Sequence, residues 1–231
     1  MTLATSALKC AKQLGRASAD GTSIIALEAE IKDAIGDAIR QYNREPWHLT
    51  EVRAISLSTV AGQNWYNSVD LTAGASDQAI AGRTALDTKE ILTIDYAREN
   101  PGSSGLNEPL CRIGYRQFEA QLEGSTPNGP PTYYTYYAGE IGIWPTPDAV
   151  YTLYFSANVK PVVPAADSDV SVWLDEYEEM INAAACKRVA IKHLRDRERG
   201  LEFTAVEGEM REGLERENLI KTSSGKVRVR D

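Results

Sequence analysis

The spacing of hydrophobic residues changes twice along the chain, and this change restricts the possible folds more than any other feature. Residues 1–45 and 171–217 place apolar side chains three or four positions apart, which is typical of amphipathic helices. Residues 50–160 alternate apolar and polar positions and are rich in Tyr, Val, Ile and Thr, which indicates strands. Helices at the two ends of the chain must bury their apolar faces against each other. The sequence therefore predicts an α+β fold, a helical bundle built from N- and C-terminal helices with an inserted antiparallel β module.

The same pattern divides the chain into four segments. We expect the N-terminal helices of the bundle at residues 1–48 and the inserted β-rich module at 49–165. The C-terminal helices of the bundle are expected at 166–218, and a flexible C-terminal arm at 219–231.

Two helices are predicted in the N-terminal segment. The first carries Leu3, Ala7, Cys10 and Leu14 on one face and should stop at Gly15. The second is expected to begin at an N-cap at Thr22 or Ser23 and to end before Pro46. Its apolar stripe consists of Ile24, Leu27, Ile31, Ala34, Ile35, Ala38, Ile39 and Tyr42.

The C-terminal helical region begins acidic and becomes basic, which complements a helix macrodipole. Its acidic start comprises Asp175, Glu176, Glu178 and Glu179, and residues 187–199 hold six basic and two acidic side chains. Gly200 is predicted to interrupt the helix. The stripe before it consists of Trp173, Tyr177, Met180, Ala184, Ile191 and Leu194, and the stripe after it of Phe203, Val206, Met210 and Leu214.

The β module should contain several strands and one short helix. Strands are predicted at residues 52–57, 66–71, 92–96, 133–137 and 150–155, with a helix at 115–122. The end of the module predicts a three-stranded antiparallel meander of residues 133–137, 141–144 and 150–155. Tyr133, Thr135 and Tyr137 should share one face of their strand, with Tyr134 and Tyr136 on the other. Acidic neighbours favour packing or a protein interface over nucleic-acid stacking for these tyrosines.

Composition excludes several classes of protein. The 231 residues carry a formal net charge of −8, so a broad basic surface for nucleic acid is not expected. No run approaches the roughly 18 apolar residues of a membrane span, and we expect no signal peptide in the first residues. Cys10, Cys111 and Cys186 are widely spaced, which predicts free buried thiols in a reducing compartment.

Motifs that carry enzyme chemistry are missing from the sequence. It contains no phosphate-binding loop, no nucleophile elbow and no HExxH zinc motif. The only two histidines, His48 and His193, are interpreted as an aromatic-cluster residue and a surface residue. The acidic group at residues 175–179 is better explained by helix-start electrostatics than by a metal site. We therefore predict no catalytic residue, no cofactor and no metal.

The C-terminal tail is a basic segment on an acidic protein. Residues 221–231 contain four basic side chains and one acidic side chain. Val227 and Val229 alternate with Lys226, Arg228 and Arg230, which is strand periodicity. The segment is either a frayed terminus or an arm that adds a strand to the sheet edge of a partner.

Three stretches together resemble a known protein family. Residues 137–154 read YAGEIGIWPTPDAVYTLY, residues 42–47 read YNREPW and residues 173–177 read WLDEY, and Ala183–Ala185 lie in the helix that follows. Over roughly residues 22–217, this order resembles the head-to-tail adaptor (connector) proteins of tailed bacteriophages.

The resemblance implies a structural protein of the virion neck, made in the host cytoplasm. Such adaptors form a homo-oligomeric ring, commonly of about twelve copies, below the portal protein, and they join the capsid to a tail, nozzle or tail-terminator protein. Double-stranded DNA passes through the lumen during genome ejection without specific binding, and no membrane is involved. The family is usually not enzymatic. The resemblance and the tail pattern together assign portal or neighbouring-subunit binding to Lys226, Val227, Arg228, Val229 and Arg230.

Two other functions stay open from the residues alone. A phage-associated hydrolase would use the aromatic residues of the β module as a substrate platform, with Asp175, Glu176 or Glu140 as catalytic acids. A nucleic-acid-binding module would use residues 187–199 and the tail.

Overall fold

The computed structural model describes residues 1–66, 71–74, 82, 85–86, 88–99, 109–124 and 127–222. These residues contain six α-helices and nine strands. The chain forms two compact units: a helical unit of Met1–Leu49 together with the chain from Pro161 onward, and a β unit of Thr50–Lys160. The helical unit is built from both ends of the chain and the strands come from its middle, so the predicted α+β fold class is confirmed.

The helical unit contains five of the helices. They are α1 (Leu3–Gln13), α2 (Glu28–Tyr42), α4 (Val172–Glu176), α5 (Glu178–Val189) and α6 (Arg197–Thr222). A π-helical turn, Ala190–Leu194, extends α5. α5 packs against α1, α2 and α6, and it buries small side chains such as Ala184, Ala185 and Cys186 that allow close helix approach.

Trp173 lies in the centre of the helical core. Its side chain is fully buried against the rings of Tyr42 and Trp47. Its indole Nε1 donates a hydrogen bond of 2.7 Å to Oδ1 of Asn43, the residue that follows α2. The apolar ring is therefore buried while its polar atom is satisfied, as a buried tryptophan requires.

Helix α2 begins later than predicted. Ala17 pairs with Ile24 in an antiparallel bridge, and Asp20 accepts a hydrogen bond from the backbone of Thr22. These local bonds hold the predicted N-cap region in a turn, so Thr22 and Ser23 do not cap the helix. α2 starts at Glu28, after Leu27 in a left-handed conformation.

The helix break also lies at a different residue. The chain turns at Arg195, which has a left-handed φ of 53°, and Asp196 then caps α6 by accepting from the backbone N–H of Arg199 at 3.0 Å. Gly200 is inside α6, contrary to the prediction. A Cβ at position 200 would lie 2.7 Å from Cγ1 of Ile191, so this glycine allows α6 to approach the π-helical turn.

The buried face of α6 differs from the predicted stripe at one position. Leu214 is buried as expected, but Val206 is 43% exposed and the carboxylate residue Glu207 is buried in its place. Ile191, which the stripe before the break included, is also half exposed. A polar network inside the unit, described below, explains why a charged residue occupies this face.

The β unit contains two sheets. Their strands are β1 (Glu51–Ser58), β2 (Trp65–Tyr66), β3 (Leu71–Thr72), β4 (Ala85–Leu86), β5 (Ile91–Glu99), β6 (Cys111–Arg112), β7 (Tyr133–Tyr137), β8 (Glu140–Trp144) and β9 (Thr152–Val159). One sheet has the order β4-β3-β1-β9-β5 and is antiparallel. The other has the order β2-β8-β7-β6, with β6 parallel to β7.

Side chains from both sheets form one core. Tyr134 of the smaller sheet contacts Phe155 of the larger sheet edge to face, with ring centroids 6.1 Å apart. Ile141 and Ile143 of β8 are fully buried in the same cluster. Helix α3 (Tyr115–Glu123) covers the other face of the smaller sheet through Phe118. Both faces of β7 are thus covered, and Thr135 is buried as well as Tyr134.

The predicted meander is correct for two of its three strands. β7 and β8 form a hairpin whose turn residues, Ala138 and Gly139, both have positive φ. β9 pairs instead with β1 and β5 in the larger sheet. Pro145 and Pro147 have no N–H to continue the ladder, and Thr146 bridges to Asn128, so the chain leaves the smaller sheet here.

The strand predicted at residues 66–71 is also divided. Trp65 and Tyr66 pair with β8, whereas Leu71 and Thr72 pair with β1 and β4 in the other sheet. Residues 67–70 lie outside the described residues.

Candidate functional site

The candidate site is the last turn of α6, from which the predicted arm starts. Lys226, Val227, Arg228, Val229 and Arg230 lie outside the described residues, so their predicted role is not tested. The structure describes the preceding turn, residues 217–221. This turn is attached to the rest of the helical unit at two places.

The first attachment joins α6 to the exit of α2. Oδ1 of Asn218 accepts a hydrogen bond of 2.6 Å from the backbone N–H of His48. Nδ2 of Asn218 lies 3.5 Å from the carbonyl oxygen of Pro46, which makes a longer bond. Nζ of Lys221 is 3.1 Å from Nε2 of His48. Pro46 and His48 therefore hold Asn218 and Lys221, which lie about one turn apart at the end of α6.

The second attachment joins α6 to Tyr177, the residue between α4 and α5. The hydroxyl of Tyr177 donates a hydrogen bond of 2.6 Å to Oε2 of Glu217, which also pairs with Lys221 at 3.3 Å. The Tyr177 bond is the main reason why the pKa of Glu217 is lowered. Burial raises the pKa of Tyr177, and the bond to Glu217 raises it further. Glu217 is thus held as a carboxylate and Tyr177 as a neutral donor.

His48 is the histidine of this attachment, and its environment favours the neutral ring. Desolvation lowers its pKa most, followed by the charge of Lys221, while Glu217 opposes both. A neutral Nε2 can accept from the Lys221 ammonium, which fits the short distance between them. His48 therefore helps to anchor α6, whereas the sequence suggested an aromatic cluster.

Two exposed apolar residues lie within this anchored turn. Leu219 is 71% exposed and Ile220 is 73% exposed. They follow Asn218 and precede Lys221, so their backbone is fixed by the attachments on both sides. Two neighbouring apolar side chains on an anchored helix offer a surface that a partner could cover.

The acidic residues of α6 fall into two groups. Glu207 is buried: its Oε1 accepts from the Tyr42 hydroxyl at 2.7 Å, and its Oε2 pairs with Lys187. Glu209, Glu212 and Glu215 are exposed. Glu207 therefore joins α2, α5 and α6, while Glu212 and Glu215 pair with Arg216 and Arg211 on the exposed side of α6.

The acidic start predicted for the C-terminal helices is used partly for internal contacts. Asp175 pairs with the N-terminal amine of Met1, and Oε2 of Glu178 accepts from Lys9 at 2.6 Å. Glu176 and Glu179 are exposed. Asp175 and Glu178 thus attach α1 to the C-terminal helices.

The basic segment at residues 187–199 is divided in the same way. Lys187 pairs with Glu207, Arg188 donates to Oε1 of Gln41 at 2.6 Å, and Arg199 donates to the carbonyl of Leu14 at 3.2 Å. These contacts connect α5 and α6 to other helices, and Arg199 also pairs with Asp196, three positions earlier, at 3.9 Å. Lys192, His193, Arg195 and Arg197 are exposed at the end of the π-helical turn.

The β unit presents a small aromatic surface. The rings of Tyr115 and Tyr137 stack with centroids 4.1 Å apart, and Trp65 contacts Tyr115 at 6.2 Å. Negative charge from Glu119 is the main cause of the raised pKa of Tyr115, and Glu140 adds to it. Neighbouring carboxylates repel phosphate, so this surface suits a protein partner better than nucleic acid.

The described residues form only weakly developed sites for small ligands or metals. A cleft of about 380 Å³ lies between α1 and the start of α2, and its ionisable residues, Glu28 and Lys32, pair with each other at 2.6 Å. Within the described part of the chain, no three His, Cys, Asp or Glu side chains are grouped so as to hold a metal ion. In the same residues, no helix is both long and apolar enough to span a bilayer.

Comparison with known proteins supports the resemblance seen in the sequence. A search of curated proteins found no match. The family described as SU10 adaptor protein matches residues 1–230, which is nearly the whole chain and includes the hairpin motif and both helical segments. The chain therefore belongs to the SU10 adaptor protein family, a family of phage head-to-tail adaptors.

Proposed function

We propose that the protein is a structural head-to-tail adaptor that forms a ring below the portal, joins the capsid to the tail and lines the DNA channel. In this proposal the protein acts by binding neighbouring virion proteins, and it catalyses no reaction. Membership of a phage adaptor family supports the general role. The ring, the portal contact and the channel lining are the specific parts of the proposal.

One observation carries the proposal furthest: the end of α6 is fixed, and it exposes Leu219 and Ile220. Burying a large aliphatic side chain contributes roughly 1.5–3 kcal/mol, so a partner that covers both residues gains a substantial part of a binding energy. The basic residues Lys226, Arg228 and Arg230 follow a few positions later in the chain. We assign the apolar turn and this arm to one binding surface for the portal or a neighbouring copy.

The charge of the protein is compatible with a channel through which DNA passes without binding. The chain has a net charge of −8, and Glu209 is exposed on α6, where Glu212 and Glu215 pair with Arg216 and Arg211. A net negative charge repels phosphates, so we expect a genome to pass the protein without being held. We therefore expect no DNA binding by the purified protein at physiological salt, and a salt-sensitive complex there would favour the nucleic-acid-binding alternative.

The decisive experiment measures binding to purified portal rings of the same phage. Three variants are compared with the full chain: a truncation to residues 1–222, the double substitution Leu219→Ser/Ile220→Ser, and the control Ile25→Ser. Ile25 is 66% exposed, similar to the two tested residues, but lies in the loop before α2. Binding is followed by cosedimentation, ring formation by mass photometry and folding by circular dichroism.

We expect the full chain and Ile25→Ser to bind portal rings and to form larger assemblies on them. The truncation and the double substitution should stay folded and bind much more weakly. Unchanged binding of the 1–222 truncation would refute the role of the arm. Failure of the folded full chain to bind portal or to assemble on it would refute the adaptor proposal.

A further inference from the structure

Two buried cysteines face each other between the first helix and the central helix of the helical unit. Cys10 lies on α1 and Cys186 on α5, and both are fully buried. Ser6 and Asn182, one turn earlier on each helix, are also buried and bond to each other at 2.6 Å. The two helices therefore meet through small side chains along this line. In contrast, Cys111 is exposed on β6 of the β unit.

Each of the two thiols lies next to the helix that carries the other. Sγ of Cys10 lies 3.6 Å from the carbonyl oxygen of Asn182, and Sγ of Cys186 lies 3.9 Å from the carbonyl oxygen of Cys10. Each sulfur thus reaches the backbone of the opposite helix. A hydrogen bond with the Cys186 thiol is the main reason why the pKa of Cys10 is well above its usual value, and burial adds to it.

We propose that Cys10 and Cys186 are a disulfide-forming pair that oxidises within the folded protein when it meets a low-molecular-weight disulfide. All three cysteines are free thiols in the structure, but only Cys10 and Cys186 are buried, whereas the sequence predicted buried positions for all three. A disulfide between α1 and α5 would connect the N-terminal helix to the C-terminal half of the bundle. This inference is separate from the adaptor function and does not depend on it.

The reaction takes place in two exchange steps. The thiolate of one cysteine attacks a sulfur of the small disulfide, which leaves a mixed disulfide and releases one small thiolate. The thiolate of the other cysteine then attacks the protein sulfur of the mixed disulfide and releases the second small thiolate. Both cysteine sulfurs are oxidised, both sulfurs of the reagent are reduced, and the two cysteine protons pass to the released thiols.

Access controls the rate of this reaction. Burial and a high pKa keep the thiolate scarce at Cys10, and α1 is held against the C-terminal helices by Lys9–Glu178 and by Met1–Asp175. Oxidation therefore requires a local opening of α1. We expect exposed Cys111 to react first and the buried pair to react slowly.

The test uses the full chain with Cys111→Ser, which removes the exposed thiol. This protein is incubated with oxidised glutathione under native conditions, denatured and treated with N-ethylmaleimide. Intact mass and peptide mapping then report the state of each cysteine. Cys10→Ser and Cys186→Ser, each added to the same background, are the matched controls with one buried thiol.

We expect the protein with both thiols to lose two hydrogens, to resist alkylation after denaturation and to yield a linked peptide containing Cys10 and Cys186. Its unfolding temperature should rise and should return to the starting value with dithiothreitol, whereas neither single-thiol control should show the rise. Two free alkylated cysteines after prolonged oxidation, or glutathione retained on each cysteine without a cross-link, would overturn the proposal.

Discussion

Substitution of Gly142 by Ala probes the contact between strand β8 and helix α3. Gly142 lies in the middle of the hairpin motif and pairs with Thr135 of β7 and Trp65 of β2. A Cβ at this position would lie 2.7 Å from Cζ of Phe118 and 2.7 Å from Cγ2 of Thr135. Phe118 is fully buried, so its ring cannot move into solvent. The absence of a side chain at position 142 is what lets α3 lie on the sheet.

The expected loss of stability follows from this overlap. An extra carbon in a well-packed core costs about 1–3 kcal/mol, and the gain from replacing a strand glycine offsets only about 0.5–1 kcal/mol. We expect Gly142→Ala to destabilise the protein by roughly 1–2 kcal/mol. For a chain of this size, each kcal/mol lowers the unfolding temperature by about 2–4 °C.

Urea unfolding followed by tryptophan fluorescence measures this change, because Trp65 lies beside Phe118 with ring centroids 4.8 Å apart. The rescue variant is Gly142→Ala/Thr135→Ser, which removes the Thr135 methyl group that the new carbon would meet. We expect the double variant to lose less stability than the sum of the two single variants. A Gly142→Ala protein as stable as the parent, or strictly additive losses, would refute the close approach.

Three further predictions follow from the helical unit. Gly208 and Gly213 have open space where a Cβ would lie. Gly208→Ala and Gly213→Ala should therefore each stabilise the protein by about 0.8–1.0 kcal/mol in urea unfolding. Destabilisation by either substitution would show that α6 needs a glycine at that position. Lys187→Met leaves the buried Glu207 carboxylate without its cation and should lower the free energy of unfolding by on the order of 2–3 kcal/mol at pH 7. This loss is smaller than the ~3–5 kcal/mol of a fully buried pair because the Lys187 side chain is 28% exposed. Lys192→Met, at an exposed lysine nearby, is the control and should change the stability little. The pKa of Asp20 is lowered from 3.8 to about 2, mainly by its bond from Ser18, so its contribution to stability is complete above pH 3.8 and is lost as the pH falls towards 2. Ser18→Ala should move the pKa of Asp20 back towards 3.8 in an NMR titration, and an unchanged titration would contradict this cause.

Much of the local structure could be predicted because it depends on neighbouring residues. The helix at Leu3–Gln13, the hairpin of β7 and β8 and the short helix α3 follow from apolar spacing and turn residues. Errors arose where a distant contact opposed the local signal. Gly200 looked like a helix stop, but it provides space for Ile191, and the chain instead breaks at Arg195.

The anchored end of α6 could not have been predicted from the sequence. Asn218 bonds to His48 and Tyr177 to Glu217, and no spacing rule relates residues so far apart in the chain. The same is true of Glu207, which the apolar pattern left outside the core. Its burial depends on a hydroxyl from α2 and an ammonium from α5 reaching the same point.

The sequence by itself determined the family, the order of helices and strands and the acidic character of the protein, because these depend on local patterning and on composition. The tertiary structure decided which strands share a sheet, which charges are buried and which cysteines meet. Those outcomes depend on side chains from distant parts of the chain competing for the same space. Pairing of β9 with β1 and contact of the Cys10 and Cys186 sulfurs with each other's helices both arise in this way, since burial in a folded core rewards complementary shape and chemistry regardless of distance along the sequence.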